Sequence, residues 1–147
     1  MKILIAEDDV TSAKILMKML SGYGRPDIAV NGMQAMEQFS GALKSGAPYD
    51  LVCLDIMMPR MDGQEVLRQI RALEESRGIT GLRGVKVIMT TALDDFNDIM
   101  RSFKEQCEGY LVKPIQKGRL AGEIDRLGFV AAKKPVKRSS RKAVRQQ

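Results

Sequence analysis

Leu51-Val52-Cys53-Leu54-Asp55 is a run of four apolar residues closed by one carboxylate, and three other mainly apolar runs likewise end in polar residues. Lys2-Ile3-Leu4-Ile5-Ala6 leads into Glu7-Asp8-Asp9, Val85-Lys86-Val87-Ile88-Met89 into Thr90-Thr91, and Tyr110-Leu111-Val112 into Lys113-Pro114. Near-continuous short apolar runs are the pattern of strands covered on both faces. Asp27-Ile28-Ala29-Val30 supplies a further short strand. Between the strands the spacing turns helical. Ala13, Leu16, Met17 and Leu20 share one face after the first strand, and Ala35, Met36 and Phe39 follow the second. Val66, Leu67, Ile70 and Leu73 predict a helix over 65–75, Phe96, Ile99, Met100 and Phe103 one over 94–105, and Leu120, Ile124 and Leu127 one over 116–127. Gly41, Ser45, Gly46 and Pro48 are read as ending the second helix.

Five strands alternating with five helices imply parallel strands joined by right-handed crossovers, an α/β architecture. In such a sheet ligands bind outside the carboxyl ends of the strands. All four polar endings would meet at that edge.

Composition bounds the rest. The 147 residues are 44% apolar and 29% charged, which suits one globular domain. No apolar stretch approaches the roughly 20 residues that span a bilayer. A chain opening directly on a strand leaves no room for a signal peptide, so the expected location is cytoplasmic. The net charge of +6 belongs to the end of the chain, where seven of the last fifteen residues are Lys or Arg and none is acidic. The first 132 residues carry 17 basic and 18 acidic groups, close to neutral. Hence 1–130 reads as the domain and 131–147 as a basic tail too polar to order itself. The absence of histidine removes histidine triads, most zinc sites and imidazole acid–base chemistry.

The strand ends carry a coherent chemistry. Asp55 is the candidate nucleophile, since a carboxylate can attack phosphorus and hold the group as an acyl phosphate. Glu7 and Asp8 stand where Mg²⁺ could be held beside it, a cation that takes one or two carboxylates plus water and substrate oxygens. Lys113 and Thr91 suit the remaining phosphoryl oxygens. Asp9 reads as a helix N-cap. Each signal alone is weak; four at successive strand ends are not.

This ordered set resembles the receiver domain of two-component response regulators, the CheY-like class. The resemblance covers about residues 1–129 and rests on Glu7-Asp8-Asp9, on Asp55-Ile56-Met57-Met58-Pro59-Arg60-Met61-Asp62-Gly63, on Thr91-Ala92 and on Tyr110-Leu111-Val112-Lys113-Pro114. It implies a flavodoxin-like, doubly wound sheet of order 2-1-3-4-5 with five helices. It implies that Asp55 is the phosphoacceptor and that Glu7, Asp8, Asp55 and the Met57 backbone carbonyl bind Mg²⁺. Thr91 and Lys113 would contact the phosphoryl group, Thr91 and Tyr110 would act as the switch, and the Lys113–Pro114 bond would be cis. A sensor histidine kinase or phosphotransfer protein would be the donor. An unknown protein target would read the surface of the helix at 94–105, the following strand and the helix at 116–127. The chain departs from the family's usual pattern at Gln106-Cys107, where a Gly-Ala pair is common.

Met57 and Leu93, both apolar, occupy positions expected to tune phosphoryl lifetime. A haloacid-dehalogenase type of phosphatase also uses a nucleophilic Asp, but it needs a second Asp where Met57 stands. A phosphorylation-independent interaction module, a homodimer, and nucleic-acid binding through the basic tail remain open alternatives. The domain is expected to act as a signalling phosphoacceptor rather than as an enzyme on other substrates.

Overall fold

The computed structural model describes residues 1–92 and 106–131. The helix expected at 94–105, Leu93, and the basic tail from 132 onward lie outside the described residues. Five strands, β1 (Lys2–Ala6), β2 (Arg25–Ala29), β3 (Leu51–Asp55), β4 (Lys86–Thr91) and β5 (Gly109–Val112), form one sheet of order β2-β1-β3-β4-β5. Every neighbouring pair is parallel. The helices are α1 (Val10–Leu20), α2 (Gly32–Lys44), α3 (Gly63–Ser76) and α4 (Lys117–Arg126), with a short 3₁₀ turn at Gly81–Arg83. This is the doubly wound, flavodoxin-like arrangement implied by the sequence.

Strand alternation divides the core in two. Leu4, Val52, Leu54, Val87 and Met89 face α2 and α3, where Phe39, Val66, Leu67 and Ile70 meet them. Ile3, Ile5, Leu51, Cys53, Ile88 and Leu111 face the opposite way, against Leu16 and Leu20 of α1 and Leu120 and Ile124 of α4. All of β3 is buried, which is why its run shows no polar alternation.

The helices begin where side chains satisfy their free amides. Asp9 accepts from the Ser12 amide at 2.9 Å, Asn31 from Gln34 at 2.8 Å and Asp62 from Glu65 at 2.9 Å. Three boundaries differ from the sequence reading. Helix α2 continues through Gly41 to Lys44, because its buried face (Ala35, Phe39, Ala42) outweighs the cost of one exposed-side glycine. Strand β2 starts earlier, at Arg25, and contains Pro26, which an edge strand tolerates. Strand β4 runs on to Thr91 and so takes in both threonines, Thr90 pairing with Asp55 and Thr91 with Val112.

At the far end of the sheet from Glu7, Asp8 and Asp55, Arg71 ties α3 to the strands. It donates to the Val85 carbonyl at 2.9 Å and to Gln106 at 2.9 Å, and pairs with Glu74 and Glu108. Glu74, itself buried, accepts from the Val85 amide at 2.7 Å, and Glu108 from the Val87 amide at 2.7 Å.

Candidate functional site

The carboxyl edge of β1, β3, β4 and β5 gathers the residues that the strand-end motifs nominate. Asp55 closes β3 and is 4% exposed. Its Oδ2 lies 3.1 Å from Lys113 Nζ, and its Oδ1 accepts from the Met57 backbone amide at 3.3 Å. Lys113 also donates to Glu7 Oε1 at 2.7 Å, while the second oxygen of Glu7 accepts from the Asp9 amide at 3.0 Å. One ammonium therefore bridges two buried carboxylates. Asp8 stands exposed beside them, and one carboxylate oxygen from each of Glu7, Asp8 and Asp55 lies within 4.8 Å of the others.

That crowding shows in the acid–base properties. Burial, and then the charge of Glu7, push the Asp55 carboxyl up to about 6 against the pull of Lys113. Burial draws the Lys113 ammonium down, but its hydrogen bond to Glu7 and the charges of Asp55 and Glu7 outweigh this and hold it above its ordinary value. Three anionic oxygen donors facing one lysine form a site with spare negative charge. Such a hard, oxygen-only set fits Mg²⁺. It does not suit a thiophilic metal: Cys53 is buried, and that burial raises its thiol to about 12.

The loop after Asp55 is pinned close to it. Met58 is buried in the core and the partly buried Met61 packs against it, the Gly63 amide donates to the Ile56 carbonyl at 2.9 Å, and Arg60 takes a left-handed φ of 70°. A Cβ at Gly63 would lie 2.3 Å from the Asp55 carbonyl oxygen, so only glycine permits this approach. Met57 points outward, 64% exposed. The Lys113–Pro114 bond is cis.

The two switch candidates share the other sheet face. Thr91 is fully buried and its hydroxyl donates to the Ala92 carbonyl at 3.3 Å. Tyr110, paired with Met89 one row away, is 43% exposed. Sequence reading passed over Thr90. It sits directly across from Asp55 on the same face, a relation that depends on strand register. Its one signal in the sequence was the Thr-Thr doublet closing the fourth apolar run.

A doubly wound parallel sheet with paired acids, a central aspartate and a lysine at the ends of its strands defines a CheY-like signalling domain. The chain belongs to the family of the response regulator receiver domain, whose pattern matches residues 3–125. It is thus a receiver domain of two-component signal transduction. It is 32% identical over 119 residues to the transcriptional regulatory protein ZraR of Klebsiella oxytoca, matching 80% of this chain and 24% of that protein. It is 36% identical over 121 residues to hybrid signal transduction histidine kinase B of Dictyostelium discoideum, matching 78% of this chain and 6% of that protein. With the probable transcriptional regulatory protein SilR of Salmonella typhimurium it shares 34% identity over 125 residues, 84% of this chain and 49% of that protein. The chain thus spans about half or less of the length of these curated relatives. Among solved structures, the bacteriophytochrome response regulator RtBRR aligns with a TM-score of 0.73 at 24% identity, covering 91% of this chain and 81% of the other. The CheX-CheY-BeF3-Mg complex of Borrelia burgdorferi aligns with a TM-score of 0.71 at 24% identity, covering 86% of this chain and 87% of the other. These structures share the fold. Among the described residues no helix is long and apolar enough to cross a membrane.

Proposed function

We propose that residues 1–130 accept a phosphoryl group on Asp55 from a sensor histidine kinase or phosphotransfer protein, and that the modified domain changes its affinity for a target protein. The observation that carries this reading is the Lys113 ammonium shared by Glu7 and Asp55 beside an acidic cluster. Glu7, Asp8, Asp55 and the Met57 backbone carbonyl are the groups proposed to hold Mg²⁺. Bound there, it offsets the negative charge of the phosphoryl oxygens.

Asp55 attacks phosphorus through one carboxylate oxygen, and the bond to the donor's nitrogen breaks. Before attack Lys113 holds the Asp55 carboxylate in place; after it, a phosphoryl oxygen carries more charge than the esterified carboxyl, and the ammonium follows that charge. The small Ala92 leaves space above Asp55 for the donor. The Thr91 hydroxyl, now on the Ala92 carbonyl, turns to a phosphoryl oxygen and vacates space on the face it shares with Tyr110. Inward movement of Tyr110 then reshapes the surface of β5 and α4. This is a two-state population shift. The domain catalyses its own phosphorylation and dephosphorylation and no other turnover.

The test is intact-mass analysis after incubation with acetyl phosphate, with and without Mg²⁺, beside Asp55→Asn. A single phosphoryl adduct that needs both Mg²⁺ and Asp55 is the expected result. No adduct on folded protein would overturn the reading in favour of a phosphorylation-independent interaction module.

A further inference from the structure

Thr90 is the buried polar residue at this edge to which the proposed chemistry gives no task. It is the cross-strand partner of Asp55 and is 1% exposed. Alternation puts both on one sheet face, because Cys53 and Ile88, two residues earlier on each strand, belong to the same core against α1 and α4. Paired strands lie about 4.8 Å apart, so the Thr90 side chain flanks the carboxylate. The backbone there is fixed, since the Thr90 carbonyl accepts from the Ile56 amide at 3.0 Å. The Thr90 hydroxyl has no hydrogen-bond partner among the described residues. An unpaired buried hydroxyl lowers stability, and valine would fill the same shape without that penalty.

Both Asp55 oxygens are served in this state, Oδ2 by Lys113 and Oδ1 by the Met57 amide. Phosphorylation changes that account. As Lys113 moves to a phosphoryl oxygen, the Asp55 carboxyl loses a donor, and Thr90, its cross-strand partner, carries an uncommitted one on the same face. We propose that the Thr90 hydroxyl donates to the Asp55 carboxyl in the phosphorylated protein and thereby shortens the life of the acyl phosphate. The inference rests on Asp55 being the phosphoacceptor. In hydrolysis a solvent water oxygen bonds to phosphorus as the bond from phosphorus to the Asp55 oxygen breaks. The electron pair of that bond returns to the carboxylate, and both water protons leave on dihydrogen phosphate. Negative charge grows on the carboxyl during this step, so a hydrogen bond already aimed at it strengthens in the transition state.

The experiment compares the parent chain with Thr90→Val, Thr90→Ala and Thr90→Ser. Each is phosphorylated with acetyl phosphate and desalted. Loss of the adduct is followed by intact mass, with Mg²⁺ and again with a chelator, and the acyl carbonyl band is recorded by infrared difference spectroscopy. The valine and alanine variants should lengthen the half-life roughly tenfold, the effect of one hydrogen bond to a charged group. They should also move the carbonyl band to higher wavenumber. Serine, which keeps the hydroxyl, should match the parent in both. If valine fails to fold, alanine carries the comparison. Unchanged half-life and band in the hydroxyl-free variants would overturn the inference, as would a serine variant that behaves like valine. Failure of the parent to form any adduct would overturn the phosphoacceptor reading along with it; an adduct on the parent with unaltered variants sinks the role of Thr90 alone.

Discussion

Replacing Asp55 by asparagine should make the metal-free protein more stable. Asp55 is 4% exposed, faces Glu7 and Asp8, and titrates at about 6, against about 3.9 for an ordinary aspartate. That rise corresponds to about 3 kcal/mol that the fold spends at pH 7 to keep this group charged. Asparagine removes the charge at constant shape but meets Lys113 less well, so a net gain of about 2 kcal/mol is expected. For a chain of this size that raises Tm by roughly 4–8 °C. The assay is thermal and urea unfolding of both proteins in chelator at pH 7, repeated across pH and with Mg²⁺. The folded-state pKa is raised, so between about 4 and 6 the native protein binds more protons than the unfolded chain, and parent stability falls as pH rises. The advantage of asparagine should therefore vanish below pH 4 and be complete above about 6. Saturating Mg²⁺, which binds only the native acidic site, should narrow it. An asparagine variant no more stable than the parent in chelator at pH 7, or an advantage unchanged at pH 4, would refute the argument from acidic crowding.

Other perturbations probe the rest of the site and its support. Lys113→Met leaves the buried carboxylates of Glu7 and Asp55 without their shared cation; a loss of roughly 2–4 kcal/mol is expected, read as a lower urea midpoint at unchanged slope. Glu74→Ala strands the Val85 amide and one arm of Arg71, and calorimetry should report a cost of about 2–4 kcal/mol while acetyl phosphate still labels Asp55. Gly63→Ala forces a methyl against the Asp55 carbonyl oxygen; about 1–3 kcal/mol of stability should go, and labelling of Asp55 should slow with it. Met57→Asn exchanges an exposed apolar side chain beside Asp55 for one that can hold water, and the phosphorylated half-life should shorten; an equal or longer one would show that Met57 gives no shielding.

Much of the fold could be read from pattern because the physics is local. Strand β3 announces itself as an unbroken apolar run, and α1, α3 and α4 by their 3.6-residue stripes. Asp9 caps α1 as its residue type and position suggest, and the structure adds Asn31 and Asp62 as the caps of α2 and α3. The misreadings have tertiary causes. Gly41 looked like a stop, yet the packed face of α2 carries the helix past it. The second strand, expected from Asp27, begins at Arg25 and takes in Pro26, which is tolerated because the sheet order puts β2 at an edge. The site residues Glu7, Asp8, Asp55 and Lys113 were legible as strand endings, and the structure brings all four together.

By itself the sequence determined the class of fold, the residues at the carboxyl edge and, through their ordered motifs, the receiver family. Those are one-dimensional properties: periodicity, charge and the order in which motifs occur. Only the tertiary structure decided how the side chains share that edge. The bridging of Glu7 and Asp55 by one lysine joins residues 106 positions apart. The raised pKa of Asp55 follows from burial beside Glu7, and both come from packing β1 against β3. The placing of Thr90 rather than Thr91 across from Asp55 is a matter of register. Shifting a strand by one residue exchanges its two faces, and no count along a single strand can say which residue its neighbour will meet.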